Sequence, residues 1–165
     1  MHSGKYRSAT IHANGRTVIE NCSLIDCRFQ GVAYESEAGA EWAALSGPII
    51  KAGSVINTLV YGCTNQLGGI VSCKTGPAYS HVAHDAPLDG ENNILLTDGS
   101  LKFRKPAKDN YTVVSGPTIN AGEPLSWHAG AKDLLGRDRV IGGAPDIGCY
   151  EFDPKEIPGT RVILR

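Results

Sequence analysis

The apolar residues of this chain come in short runs rich in Val, Ile and Leu, each broken within a few positions by Asn, Gly, Pro or Asp. Residues 9–12 make one such run, the turn Ala13-Asn14-Gly15 follows, and residues 17–25 make a longer run with partial alternation. Short alternating runs between turn residues predict β-strands. The layout then repeats: residues 48–51, the turn Ala52-Gly53, and the longer run 55–65. Ile11 falls opposite Ile50, the turns match, and Asn21-Cys22 falls near Gly62-Cys63. An offset of about 40 residues predicts two coils of about 20 residues each, with an intervening coil over residues 29–45.

The middle of that span is irregular. Residues 35–45 predict either a turn or two of helix or a looped-out insertion, around 30–46, and Gly39 weakens the helix. Further strands are predicted at 69–73, 93–96, 101–104 and 111–114, with a last one at 160–165. A loop rich in Gly, Pro, Asp and His spans 74–93. No long amphipathic helix is predicted.

Short strands in repeated order predict an all-β, right-handed parallel β-helix of about three to four coils. Each coil stacks on the next, so like side chains form inward ladders. One coil cannot bury its own apolar face, so coils must stack and the stack needs ends. The predicted organisation is coils over 1–91 and a last coil with a loop-rich C-terminal cap over 92–165, in one structural domain.

The C-terminal third carries the most specific pattern. Ser115-Gly116-Pro117-Thr118-Ile119-Asn120-Ala121-Gly122 is followed by Asp133-Leu134-Leu135-Gly136-Arg137-Asp138-Arg139 and by Gly142-Gly143-Ala144-Pro145-Asp146-Ile147-Gly148-Cys149-Tyr150-Glu151. This resembles the C-terminal region of bacterial right-handed β-helix surface proteins of the pectate-lyase-like superfamily. Cys149 stands where that pattern usually has Ala, and Arg137-Asp138 where Asn-Pro is common. The resemblance implies a secreted or cell-surface protein, and a chain that is part of a longer one. Asp133, Arg139, Asp146 and Glu151 are expected to form a structural cap. Carboxylates around an arginine can satisfy its fork of donors, and the network would pin the chain across the last coil.

Composition narrows the classes. The chain has 165 residues, 41% hydrophobic and 20% charged, which suits a globular domain. Gly 20 against Phe 3 and Met 1 favours tight turns and small stacked side chains. A net charge of −1 with scattered Lys and Arg gives no broad attraction for nucleic acid, and no apolar run reaches a membrane span. The residues after Met1 lack a signal peptide's apolar segment, so export requires a signal further upstream. Five cysteines, Cys22, Cys27, Cys63, Cys73 and Cys149, are an odd number with no CxxC. They read as small buried hydrophobes, with Cys22–Cys63 or Cys63–Cys73 as open alternatives for a bridge.

Candidate chemistry is sparse. His81, His84 and Asp85 are the one cluster with metal-ligand chemistry, weighed against a plain polar loop. Asp85, Asp89, Glu91 and Asp98 offer calcium an oxygen-rich stretch, although turn capping accounts for them as well. No other cofactor is expected. Tyr34, Trp42 and Tyr79 would stack on sugar rings if exposed. Lys51, Lys74, Arg28 and Arg104 would suit an acidic polysaccharide, but no catalytic motif is recognisable and no catalytic residue is assigned. The expected function is the stabilising C-terminal part of a surface protein that binds a polysaccharide or surface glycan, or acts as an adhesin. The alternative is the end of a polysaccharide lyase or glycoside hydrolase whose site lies upstream or on another chain. An open N-terminal coil would pair with an upstream segment or a second copy.

Overall fold

The computed structural model describes residues 11–12, 16–29, 50–65, 71–73 and 79–156. It is β-rich, and the described residues up to Leu95 hold short strands laid in successive tiers. The first tier holds β1 (Ile11–His12), β2 (Val18–Glu20), β3 (Ser23–Ile25) and β4 (Arg28–Phe29). The second holds β5 (Ile50–Ala52), β6 (Ser54–Ile56), β7 (Leu59–Tyr61) and β8 (Thr64–Asn65). The third holds β9 (Val71–Cys73), β10 (Tyr79–Ser80) and β11 (Ala83–His84), and β12 (Ile94–Leu95) adds one strand of a fourth. Pairing between tiers is parallel throughout, in the orders β1-β5-β9, β10-β6-β2, β12-β11-β7-β3 and β4-β8.

Two expectations change here. No tier lies between the first and second, because Ile11 pairs directly with Ile50, Val55 with Ile19 and Val60 with Leu24. The offset read as two coils therefore separates adjacent tiers, and residues 30–45 lie outside the described residues. The expected match of Asn21-Cys22 with Gly62-Cys63 also shifts. The ladders of β2 with β6 and β3 with β7 set Asn21 opposite Asn57 and Asp26 opposite Gly62. The connection from β1 to β2 is longer than that from β5 to β6, so one constant offset cannot align both ends of a tier.

The corners explain a second regularity. Asn21, Asn57, His81 and Asn92 occupy one corner in successive tiers, with φ of 51°, 48°, 52° and 54°. Asp26 and Gly62, at 53° and 66°, occupy the next. Left-handed backbone is tolerated by Gly, Asn and Asp, and to a lesser degree His, which is why these types recur there. The following residue turns inward, and a small donor closes on the carbonyl two positions back. Thr58 Oγ1 donates to Ile56 O at 2.9 Å, Cys22 Sγ to Glu20 O at 3.3 Å, Cys63 Sγ to Tyr61 O at 3.7 Å and Cys27 Sγ to Ile25 O at 3.8 Å. Asn-Cys, Asp-Cys, Asn-Thr and Gly-Cys are thus one turn written four ways.

Two apolar clusters result. Leu24, Ile50, Ala52, Val55, Val60, Cys63 and Val82 pack inside the tiers. Leu59, Ala83, Leu96, Leu101, Val113 and Ile147 pack on the outer face of β7 and its neighbours. That outer face is covered by the antiparallel hairpin of β13 (Lys102–Lys105) and β14 (Asn110–Ser115), not by a further parallel coil. Leu59 and Tyr61 join the outer cluster and Val60 the inner one, so β7 is apolar without alternation. A strand covered on both faces reads that way.

Candidate functional site

The most ordered polar construction is the segment after β14, residues 116–156, which returns along the Asn-rich corner as a strap. It is fastened tier by tier. At the third tier, His81 Nδ1 lies 2.8 Å from Ser80 Oγ and 3.5 Å from Glu123 Oε2. At the second, Asn57 Nδ2 donates to Glu123 O at 2.8 Å and Asn57 Oδ1 accepts from Glu123 N at 2.6 Å. At the first, Asn21 Oδ1 accepts from Arg139 Nη2 at 2.8 Å, and its Nδ2 meets His128 Nε2 at 3.1 Å. Cys149 N donates to Ser23 Oγ at 3.0 Å beside it.

The four residues expected to form a cap, Asp133, Arg139, Asp146 and Glu151, are buried together in this strap. Arg139 Nη1 lies 3.1 Å from Glu151 Oε1, and Nη2 also donates to Gly148 O at 2.6 Å and Asp146 O at 3.1 Å. Asp133 accepts from Leu135 N, Arg137 N, Arg137 Nε and Glu151 N, all at 2.8–2.9 Å. Asp146 accepts from Asn120 N and Phe152 N, and Asp146 N donates to both Glu151 oxygens. The expected position across the last coil is not what forms. The bonds from this network into the tiers reach Asn21, Ser23 and Asn57, in the first two tiers. Gly148 sits at that contact, where a Cβ would stand 2.7 Å from Ser23 Oγ.

Electrostatics divides the carboxylates. Burial pushes Asp133 up, but the backbone donors and Arg137 outweigh it and hold it below its ordinary value. Burial raises Asp146 against its own backbone donors. Burial, and then the Asp146 charge, push Glu151 up to about 7 despite Arg139. Burial and the Arg139 charge lower His128, whose Nδ1 accepts from Leu125 N at 3.2 Å.

A pH prediction follows from Glu151. Its folded pKa exceeds the unfolded value, so the folded state binds the extra proton. That contribution is complete below about pH 4.5 and is lost as pH rises through about 7. His84 and His128 are lowered by burial and act in the opposite sense. The difference between wild type and Glu151→Gln isolates the carboxyl. Relative to the glutamine variant, wild type should lose on the order of 1–3 kcal/mol between pH 5 and pH 8 in urea melts. A flat difference across that range would show that Glu151 is ionised throughout.

Of the predicted metal cluster, His84 and Asp85 lie side by side, while His81 has other partners. His81 sits at the left-handed corner facing Ser80 and Glu123. His84 lies on β11, in line with Val60, with a side chain 3% exposed and Nδ1 beside Ala86. Asp85 Oδ2 accepts from Gly62 N at 2.9 Å, and its other oxygen stands 3.5 Å from His84 Nδ1. His-x-x-His brings imidazoles together on a helical turn, and this chain is extended. Among the described residues no three His, Cys, Asp or Glu side chains form a metal-binding group.

Tyr34 and Trp42 lie outside the described residues. Tyr79 is half-buried and packs against the inner cluster. The aromatic among the exposed large hydrophobic residues is Trp127, 47% exposed, which the sequence reading missed. Its Nε1 donates to Glu20 Oε2 at 3.0 Å, and His128 meets the ring edge-on at 4.4 Å. Arg104 is engaged with Glu156 and Arg28 is exposed, while the side chains of Lys51 and Lys74 lie outside the described residues.

Ser80, His81 and Glu123 look like a nucleophile set, but the geometry is not a relay. A relay places serine on one ring nitrogen and the carboxylate on the other. Here both crowd Nδ1, and Ser80 Oγ donates to Glu123 at 3.2 Å. The arrangement fastens the strap.

Comparison with known proteins assigns no family: no family model matches the chain, and neither curated proteins nor solved structures give a significant match. No helix among the described residues is long and apolar enough to cross a membrane.

Proposed function

We propose that this chain is the end of a right-handed parallel β-helix, of the kind its C-terminal pattern resembles, and that its strap locks the stack of a secreted or cell-surface glycan-binding protein. The observation that carries the reading is the in-register parallel stacking of successive tiers with the same left-handed corner in each. Parallel crossovers in one sheet are right-handed in nearly all proteins, which supports that hand here. Asn-rich corners and a strap tied rung by rung suit a rigid scaffold more than a moving catalytic cleft.

Trp127 is the residue on which glycan binding is placed. An indole anchored by Glu20 at its nitrogen and by His128 at its edge keeps its orientation, and an exposed ring face stacks on a pyranose at small entropic cost. β2 and β3 end their sheets among the described residues, so the first-tier edge is the place where an upstream coil or a second copy would pair. A glycan array should show binding by wild type and at least tenfold weaker binding by Trp127→Ala. Absence of signal for the intact protein on every glycan would remove the binding reading and leave the scaffold reading.

A further inference from the structure

The tiers bring together two cysteines that lie far apart in the chain. Ile25 pairs with Tyr61 on one side and Arg28 with Thr64 on the other, which sets Cys27 opposite Cys63. Hydrogen bonds bracket that position: Asp26 N donates to Tyr61 O at 2.9 Å and Thr64 N to Cys27 O at 2.8 Å. Both thiols point into the same inner cluster, and each closes on the carbonyl two residues before it. Paired strands lie about 4.8 Å apart, inside the Cα separation of roughly 4.4–6.8 Å that a disulfide spans.

We propose that Cys27 and Cys63 are a disulfide site that staples the first tier to the second when the chain folds in an oxidising compartment. The oxidant is a low-molecular-weight disulfide such as oxidised glutathione. One cysteine thiolate attacks a sulfur of that disulfide, forms a mixed disulfide and expels one glutathione thiolate. The second cysteine thiolate attacks the protein sulfur of the mixed disulfide and expels the other. Two cysteine thiols lose two protons and two electrons, and one glutathione disulfide becomes two thiols.

The folded Cys63 thiol is a poor nucleophile. Cys63 is 7% exposed, and burial pushes it up to about 12. The bond therefore forms during folding, before the inner cluster closes.

The test refolds the whole chain from urea in glutathione redox buffer, alkylates the remaining thiols and maps the peptides by mass spectrometry. The expected result is a Cys27–Cys63 cross-link and a Tm roughly 5–15 °C above the reduced protein. Cys27→Ser and Cys63→Ser should each abolish that redox-dependent shift while still folding, since Thr58 shows that a hydroxyl serves the same turn. Cys22→Ser should keep it. Full alkylation of Cys27 and Cys63 after refolding, or a cross-link from either to Cys22, Cys73 or Cys149, would overturn the proposal.

Discussion

Arg139→Met should destabilise the protein by about 3–5 kcal/mol at pH 8, the largest effect expected of any single substitution in the strap. Arg139 is 2% exposed; its Nη2 donates to the Asn21 side chain and the carbonyls of Asp146 and Gly148, and its Nη1 forms an ion pair with Glu151. Methionine fills similar volume but leaves those acceptors buried without that donor. The loss should shrink at pH 5, where Glu151 is protonated and no uncompensated charge remains. Combining Arg139→Met with Glu151→Gln should recover part of the loss at pH 8 and little at pH 5. Urea melts of the two single variants and the double variant at both pH values check this. A loss under about 1 kcal/mol, or one independent of pH, would show that the pair contributes little to holding the strap.

Asn57→Ala should cost about 3–4 kcal/mol, and Asn57→Gly about 1 kcal/mol less. The side chain is fully buried and clamps both backbone polar groups of Glu123, while its own carbonyl accepts from Gly148 N at 2.9 Å. Either substitution breaks the clamp. Alanine in addition holds a Cβ at φ 48°, where glycine is at ease. The order is the informative part, because clamp loss alone would make the two variants equal. Chemical denaturation gives the free energies, and limited proteolysis after residue 116 should rise in parallel if the strap detaches.

Several features are legible in hindsight from particular residues. The strands at residues 17–25 and 55–65 are announced by β-branched runs, and the stacking partner Ile50 by its match to Ile11. The four charged residues of the strap stand out because acids and an arginine sit among glycines, a composition that calls for internal pairing. The left-handed corners were also written in the chain, as Asn21-Cys22, Asp26-Cys27, Asn57-Thr58 and Gly62-Cys63. The true register is marked by a left-handed residue followed by a small hydrogen-bond donor. A constant offset misses it, because apolar matches tolerate a shift of a few residues.

Other features were not legible. Ser80, Asn57 and Asn21 are ordinary polar residues in sequence, and they become partners of Glu123 and Arg139 only where the strap crosses the tiers. Trp127 carries no local motif, and its exposure depends on how the strap lies beside Glu20. His81 and His84 share a spacing that suits a metal on a helix, and the extended backbone gives them different partners, Ser80 and Glu123 for one and Asp85 and Ala86 for the other.

The sequence by itself determined that this protein is built from short strands with tight, left-handed corners, since side-chain branching and tolerance of positive φ are local properties. It also determined that Asp133, Arg139, Asp146 and Glu151 would need one another. The tertiary structure alone decided which tiers are neighbours, that β13 and β14 cover the outer face as a hairpin, and that the strap binds the early tiers. Those outcomes depend on contacts between residues far apart in the chain, whose free energy appears only when both faces of β7 are buried at once.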